Sequence, residues 1–192
     1  VRERDEVNRM AAELPDEWRE VEILVNNAGL ARGLSKIQDG DHVAWEEMID
    51  TNVKGLLWVT RAILPGMIKR NGGHIINVGS IAGHEVYPMG NVYCASKFAE
   101  NAINRGLLMD LVDTPIRVTT IDPGLAETEF SMVRFSGDKE RASKVYNGIT
   151  PLYGEDIADA IVWAASRPAH VQIAQMIILP TSQGGAMVVH RK

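Results

Sequence analysis

Four short apolar-rich runs, residues 21–25, 75–78, 116–121 and 174–179, constrain the fold of this chain more than any other feature. Each is too short for a stable helix and is bounded by small or turn-forming residues, the pattern of a strand buried on both faces. Between them lie longer stretches with apolar residues at helical spacing. Val7, Met10, Ala11 and Leu14 mark an amphipathic helix from about Asp5 to Trp18, which Pro15 ends or turns. A long helix is predicted over 42–70, carrying Val43, Met48, Ile49, Val53, Leu56, Leu57, Ile63, Leu64, Met67 and Ile68, with Pro65 as a kink. A third spans 91–111 and a fourth 154–166. Strands separated by helices run parallel, because a tight hairpin cannot join them. The expected class is therefore α/β, a doubly wound open parallel sheet with helices on both faces, in a single domain over 1–192.

Composition narrows the partners. A formal net charge of -5 offers no electrostatic footprint for nucleic acid or an anionic membrane. No apolar run approaches the roughly 18 residues a membrane helix needs, and residues 1–6 are too charged for a signal peptide. The lone Cys94 has no partner for a disulfide or a metal site, so it reads as packing in a reducing, cytoplasmic compartment. The glycine pair Gly72-Gly73 follows a helix and precedes a strand, the order of a cap and not of a phosphate loop.

The chemistry gathers at the carboxyl ends of the strands, where an open parallel sheet binds its ligands. The first strand ends in Asn26-Asn27-Ala28-Gly29, small and amide residues that let a ligand approach the backbone. The second ends in Gly79-Ser80, presenting a hydroxyl. The third ends in Asp122-Pro123-Gly124, followed by Thr128, a sharp turn with free backbone groups. Tyr93 and Lys97 lie one helical turn apart, and an ammonium beside a phenol favours the phenolate, a state suited to proton transfer. Asn52 is a poor mid-helix residue unless its side chain finds a backbone or water partner. His84, Glu85, Tyr87 and Met89 are candidate walls of a substrate pocket, with a solvated loop as the plainer reading of His84. Residues 129–152 are polar and long enough to form a lid, in which Arg134 and Lys139 are cations available to a substrate carboxylate. The last residues, 180–192, read as an arm that needs another surface to order it.

Taken singly these residues are ordinary. A strand ending in Ser80, a Gly-containing loop, and Tyr93 with Lys97 opening a helix together resemble the active-site segment of the short-chain dehydrogenase/reductase family. Asn26 to Gly29, Asn52, and Pro123-Gly124 with Thr128 also follow that family's order, so the resemblance covers the whole chain. It implies a Rossmann-like fold and hydride transfer with a nicotinamide cofactor. It also implies Tyr93 as acid/base, Lys97 as its electrostatic partner, Ser80 on the substrate oxygen and Asn52 ordering a proton-relay water. Asn27, Ala28, Gly29, Tyr93, Lys97, Pro123, Gly124 and Thr128 are the implied cofactor contacts. Pro65-Gly66-Met67, residues 128–138, Val145-Tyr146 and Val189-His190-Arg191 resemble most the NADP-dependent 3-hydroxy acid (serine and allo-threonine) dehydrogenases. That likeness implies NADP, with NAD as the alternative, and a homo-oligomer, dimer or tetramer, assembled through 42–70 and 91–111.

Family members begin with strands and a glycine-rich loop that this sequence lacks before Val1, so the expected form is N-terminally truncated. That gap motivates a rival expectation, a catalytically silent fragment or pseudoenzyme that oligomerises but binds the dinucleotide poorly.

Overall fold

The computed structural model describes residues 1–192. Helix α1 (Arg4–Ala12) carries Asp5 and Glu6 in its first turn, where acids suit the helix dipole, and buries Val7. Pro15 opens a separate short turn over Asp16–Trp18, so the predicted first helix stops earlier than its apolar pattern. Strand β1 (Ile23–Asn26) follows. The predicted helix over 42–70 is continuous but not uniform. It begins as α2 (His42–Ile49), capped where Asp41 accepts the Val43 N–H at 3.0 Å. It widens to a π-helical turn over Asp50–Gly55 and resumes as α3 (Leu56–Arg70), with Pro65 tolerated inside. Asn71 ends α3 in the left-handed conformation, at φ 55°. Then come β2 (His74–Val78), α4 (Asn91–Asp110) and β3 (Arg117–Pro123).

Four strands form one parallel sheet in the order β1-β2-β3-β6, the last being Gln175–Ile178. Alternation along β2 and β3 divides the core between the two faces. Ile75 and Val118 pack with Met67, Leu111 and Ile116 beneath α3 and α4. Ile76 and Ile121 pack on the opposite face with Ile157 and Ala164 of α7 (Gly154–Ala165). The doubly wound arrangement with helices on both faces is thus observed. β1 lies at one edge, and its Ile23 and Val25 are 48% and 40% exposed.

Residues 126–153 fold over the carboxyl ends of the strands. Short strands β4 (Ala126–Glu127) and β5 (Leu152–Tyr153) pair in parallel, with α5 (Phe130–Arg134) and α6 (Lys139–Lys144) between them. The segment read as a polar lid thus contains two short helices. The C-terminal arm, expected to need another surface to order it, finds that surface on its own chain. Arg191 donates to the Val145 and Asn147 carbonyls at 3.1 and 2.6 Å, and the Lys192 N–H reaches Gly148 O at 3.0 Å. No helix is long and apolar enough to cross a membrane.

Candidate active site

The carboxyl ends of β1, β2 and β3, the start of α4 and the cover of residues 126–153 enclose a cavity of about 1120 Å³. Ser80, Tyr93 and Lys97 all line it, as do Asn27, Gly29, Pro123, Gly124 and Thr128. Two of the predicted residues stand apart from its wall. Ala28 is exposed beside the cavity, and Asn52 is fully buried behind it.

The buried position of Asn52 explains how an amide survives inside a helix. The π-helical turn carries it toward the loop after β1, where its Oδ1 accepts the Leu30 N–H at 2.8 Å and its Nδ2 donates to Leu30 O at 2.8 Å. Nδ2 also reaches Ser96 Oγ at 2.9 Å, and Ser96 in turn bonds Tyr93 O at 2.7 Å. One side chain therefore ties the loop at Gly29 to the first turns of α4, where Tyr93 and Lys97 sit. A Cβ at Gly29 would lie 3.4 Å from Lys97 Nζ and 3.5 Å from Asn52 Oδ1, so glycine keeps this approach open.

Lys97 is 5% exposed and donates to Val78 O at 3.1 Å and to Glu100 Oε2 at 3.0 Å. Burial alone would push the ammonium toward neutrality, but Glu100, then Tyr93, outweigh it and raise the Lys97 pKa above its ordinary value. Glu100 is likewise raised by burial, against the opposing pull of Lys97. Ser80 Oγ accepts the Ala82 N–H at 3.1 Å, which fixes the oxygen and leaves its own O–H to be donated. Gly79 is required behind it, since a Cβ there would stand 1.9 Å from Asp122 Oδ1.

Arg134 enters from the cover. Its guanidinium lies 5.0 Å from the centre of the Tyr93 ring, 5.2 Å from Phe130 and 5.7 Å from Tyr87. It donates to the Tyr87 hydroxyl, whose pKa burial pushes up to about 12 despite Arg134, so that oxygen stays a neutral acceptor. Arg134 Nε is buried without a partner, and no carboxylate pairs with this side chain. The cation is held in place by Gly33, whose N–H bonds Arg134 O at 2.8 Å, and by Arg32, which reaches Val133 O at 2.8 Å. Lys139, the other predicted cation, is exposed and outside the cavity.

The loop between Ser80 and Tyr93 divides differently from expectation. Tyr87 lines the cavity, whereas His84, Glu85 and Met89 do not. His84 is no solvated loop residue. Its Nε2 lies 2.8 Å from Asp122 Oδ2, 3.2 Å from Asn101 and 3.1 Å from Gln175, behind the site. Sequence reading also missed Gln183, whose Oε1 accepts the Leu125 N–H at 2.8 Å and pins the turn at Pro123-Gly124 from the arm. A Cβ at Gly124 would meet that same oxygen at 2.2 Å. Nothing local in the sequence marks Gln183, because its partner is remote along the chain.

A parallel sheet whose second strand leads to Ser80, with Tyr93 and Lys97 added from α4 on the same cavity, has the architecture of a dinucleotide-type oxidoreductase, and the comparisons agree. The family model described as short chain dehydrogenase matches residues 1–139, and the chain belongs to that family. Among individual relatives, the NADP-dependent 3-hydroxy acid dehydrogenase YdfG of Salmonella typhi is 50% identical over 193 residues, covering all of this chain and 78% of the relative. The NADP-dependent 3-hydroxy acid dehydrogenase of Schizosaccharomyces pombe is 48% identical, covering 93% of this chain and 69% of its own. The closed form of serine dehydrogenase complexed with NADP+ superposes with a TM-score of 0.94 at 48% identity, over the whole of this chain and 78% of that one. Serine dehydrogenase from Escherichia coli gives a TM-score of 0.82 at 42% identity, over 95% of this chain and 74% of that one.

Proposed function

We propose that residues 1–192 act as one catalytic domain, an oxidoreductase that uses NADP(H) to interconvert a small 3-hydroxy acid and its 3-oxo acid. The observation that carries this reading is the convergence of Ser80, Tyr93 and Lys97 on one cavity in which Arg134, a cation without a carboxylate partner, stacks on the Tyr93 ring. A substrate that bears a hydroxyl and a carboxylate two carbons apart fits that pair: the hydroxyl meets Tyr93 and the carboxylate meets Arg134.

The residues of the cavity fit a nicotinamide cofactor. Gly29 leaves room beside Lys97 Nζ, where the ammonium's remaining N–H is free for a ribose hydroxyl. Asn27 borders the path to the adenosine side, with Ala28 at its exposed edge. Pro123, Gly124 and Thr128 offer backbone and hydroxyl groups to the carboxamide. The cofactor supplies the acceptor for hydride from the carbinol carbon. Tyr93 takes the hydroxyl proton in oxidation and returns it in reduction. Ser80 donates its free O–H to the substrate oxygen as charge develops there. Lys97 stabilises the tyrosinate through its positive charge. Asn52 positions both sides of the pair through Leu30 and Ser96, in support of a proton relay from Lys97.

We further propose a cytoplasmic homo-oligomer. Leu57 and Ile68 of α3 are 40% and 50% exposed, and Phe98 and Met109 of α4 are 42% and 68% exposed, apolar surface suited to a second copy. Incubation with NADP+ and serine tests the catalytic reading. Stoichiometric NADPH and oxo product are expected, with micromolar NADPH binding by fluorescence; neither binding nor turnover across a panel of 3-hydroxy acids would sink it.

A further inference from the structure

Glu100 lies one helical turn beyond Lys97 on α4 and is 4% exposed. Its two carboxylate oxygens stand 2.9 and 3.0 Å from Lys97 Nζ. A lysine and glutamate three apart on a helix usually form a solvated pair of little consequence. This pair is different because the side chains are only 6% and 4% exposed. A buried ammonium without an anion tends to lose its proton, and a buried carboxylate at bonding distance reverses that tendency.

We propose that Glu100 is a positioning residue of the active site, a built-in counter-ion that keeps Lys97 protonated and aims its remaining N–H past Gly29 into the cavity. Val78 O and the Glu100 carboxylate lie at bonding distance from Nζ on the protein side, while Lys97 and Gly29 both line the cavity. Lys97 is raised above its ordinary pKa even though burial opposes it, with Glu100 the largest opposing influence.

Other charged and titratable groups face the pair from each neighbouring element. Tyr93 faces it on α4 itself, Asp122 on β3 adds negative charge, and His84 beyond the second strand lies with its Nε2 2.8 Å from the Asp122 carboxylate. Arg134 on α5 lies over the Tyr93 ring. Val78 and Asn52 contribute only neutral dipoles. Asp122 therefore moderates, but does not replace, the loss of Glu100. The catalytic consequence rests on the oxidoreductase reading: oxidation of a hydroxy acid releases a proton and is favoured at high pH, the range in which an unpaired buried lysine would be lost.

The test is an NMR titration of cofactor-free protein carrying 13C-labelled lysine, with the Lys97 Cε resonance assigned by its absence in Lys97→Met. In the native protein Lys97 titrates above the ordinary lysine range. In Glu100→Gln its midpoint falls by about two units or more, and Glu100→Asp, which keeps the charge, recovers most of that fall. An unchanged midpoint in Glu100→Gln overturns the proposal. If Glu100→Gln alone fails to fold, the pairing predicts that Lys97→Met/Glu100→Gln, which removes both charges, folds; failure of the double variant overturns it too. In kinetics, the alkaline limb of kcat/KM in Glu100→Gln falls at the midpoint seen by NMR. A profile that does not move while the Lys97 midpoint does contradicts the positioning role. The titration needs neither cofactor nor turnover, so it stands or falls apart from the proposed reaction.

Discussion

Lys97 in the floor of the cavity and Arg134 in its cover are both cations near Tyr93, yet the protein surrounds them differently. Lys97 is almost fully buried and meets Glu100 and Val78 O, partners supplied by the same helix and the adjacent strand. Arg134 stacks on three aromatic rings, bonds a neutral phenol and keeps one buried nitrogen unpartnered. The floor is thus complete in charge before any ligand arrives. The cover presents a cation for which the chain supplies no carboxylate, and on the proposed reading this separates the reacting end of a substrate from its recognised end.

The rule that the floor tolerates buried charge only where a counter-charge is built in has a test at the opposite end of β2. His74 is 2% exposed, its Nε2 bonded to Thr119 Oγ1 at 2.7 Å and its Nδ1 unpartnered. With no carboxylate to match Glu100, burial, helped by Arg117, lowers its pKa to about 4. The unfolded chain, near pKa 6.5, takes up the proton first as pH falls. Stability attributable to neutral His74 is therefore complete above about pH 6.5 and declines toward pH 4, by about 3 kcal/mol. Urea unfolding at the two pH values should show that loss in the native chain and a smaller one in His74→Gln. Equal losses would break the comparison.

Arg134→Met sharpens it from the other side. Removing a charge-assisted contact of about 1.5–3 kcal/mol should raise KM for a 3-hydroxy acid roughly tenfold to a hundredfold. The methyl ester of the same substrate, which lacks the anion, should change far less, and kcat should fall less than kcat/KM. An equal effect on acid and ester would show that Arg134 supports Tyr93 and Phe130 without reading the carboxylate.

The contrast also explains what the sequence could reveal. Alternation of apolar runs with helical patterns is a local property, so the sheet, its crossover helices and the strand-end residues Ser80, Pro123 and Gly124 are legible in the sequence itself. Tyr93 and Lys97 were legible because their spacing lies within one helix. Glu100 lies equally close, but a glutamate three residues from a lysine reads as surface, and only the packing of α4 within the fold removes it from water. Arg134 was named as an available cation, yet its place over Tyr93 depends on contacts from Arg32 and Gly33, far away in sequence. His84 and Gln183 acquire their partners through Asp122 and Leu125 in the same long-range manner. The arm's need for a second surface was legible, but not which one, since that surface belongs to residues 145–148, remote along the chain.

The most direct measurement of the central claim is NADP+ reduction with serine by the native chain and by Tyr93→Phe, followed at the nicotinamide absorbance. Phenylalanine preserves the ring that Arg134 and Phe130 contact and removes only the hydroxyl. The account predicts that Tyr93→Phe keeps its fold and its NADPH affinity while turnover falls by about a hundredfold or more, the range of a lost general acid–base. A Tyr93→Phe protein that turns over at the native rate would contradict it.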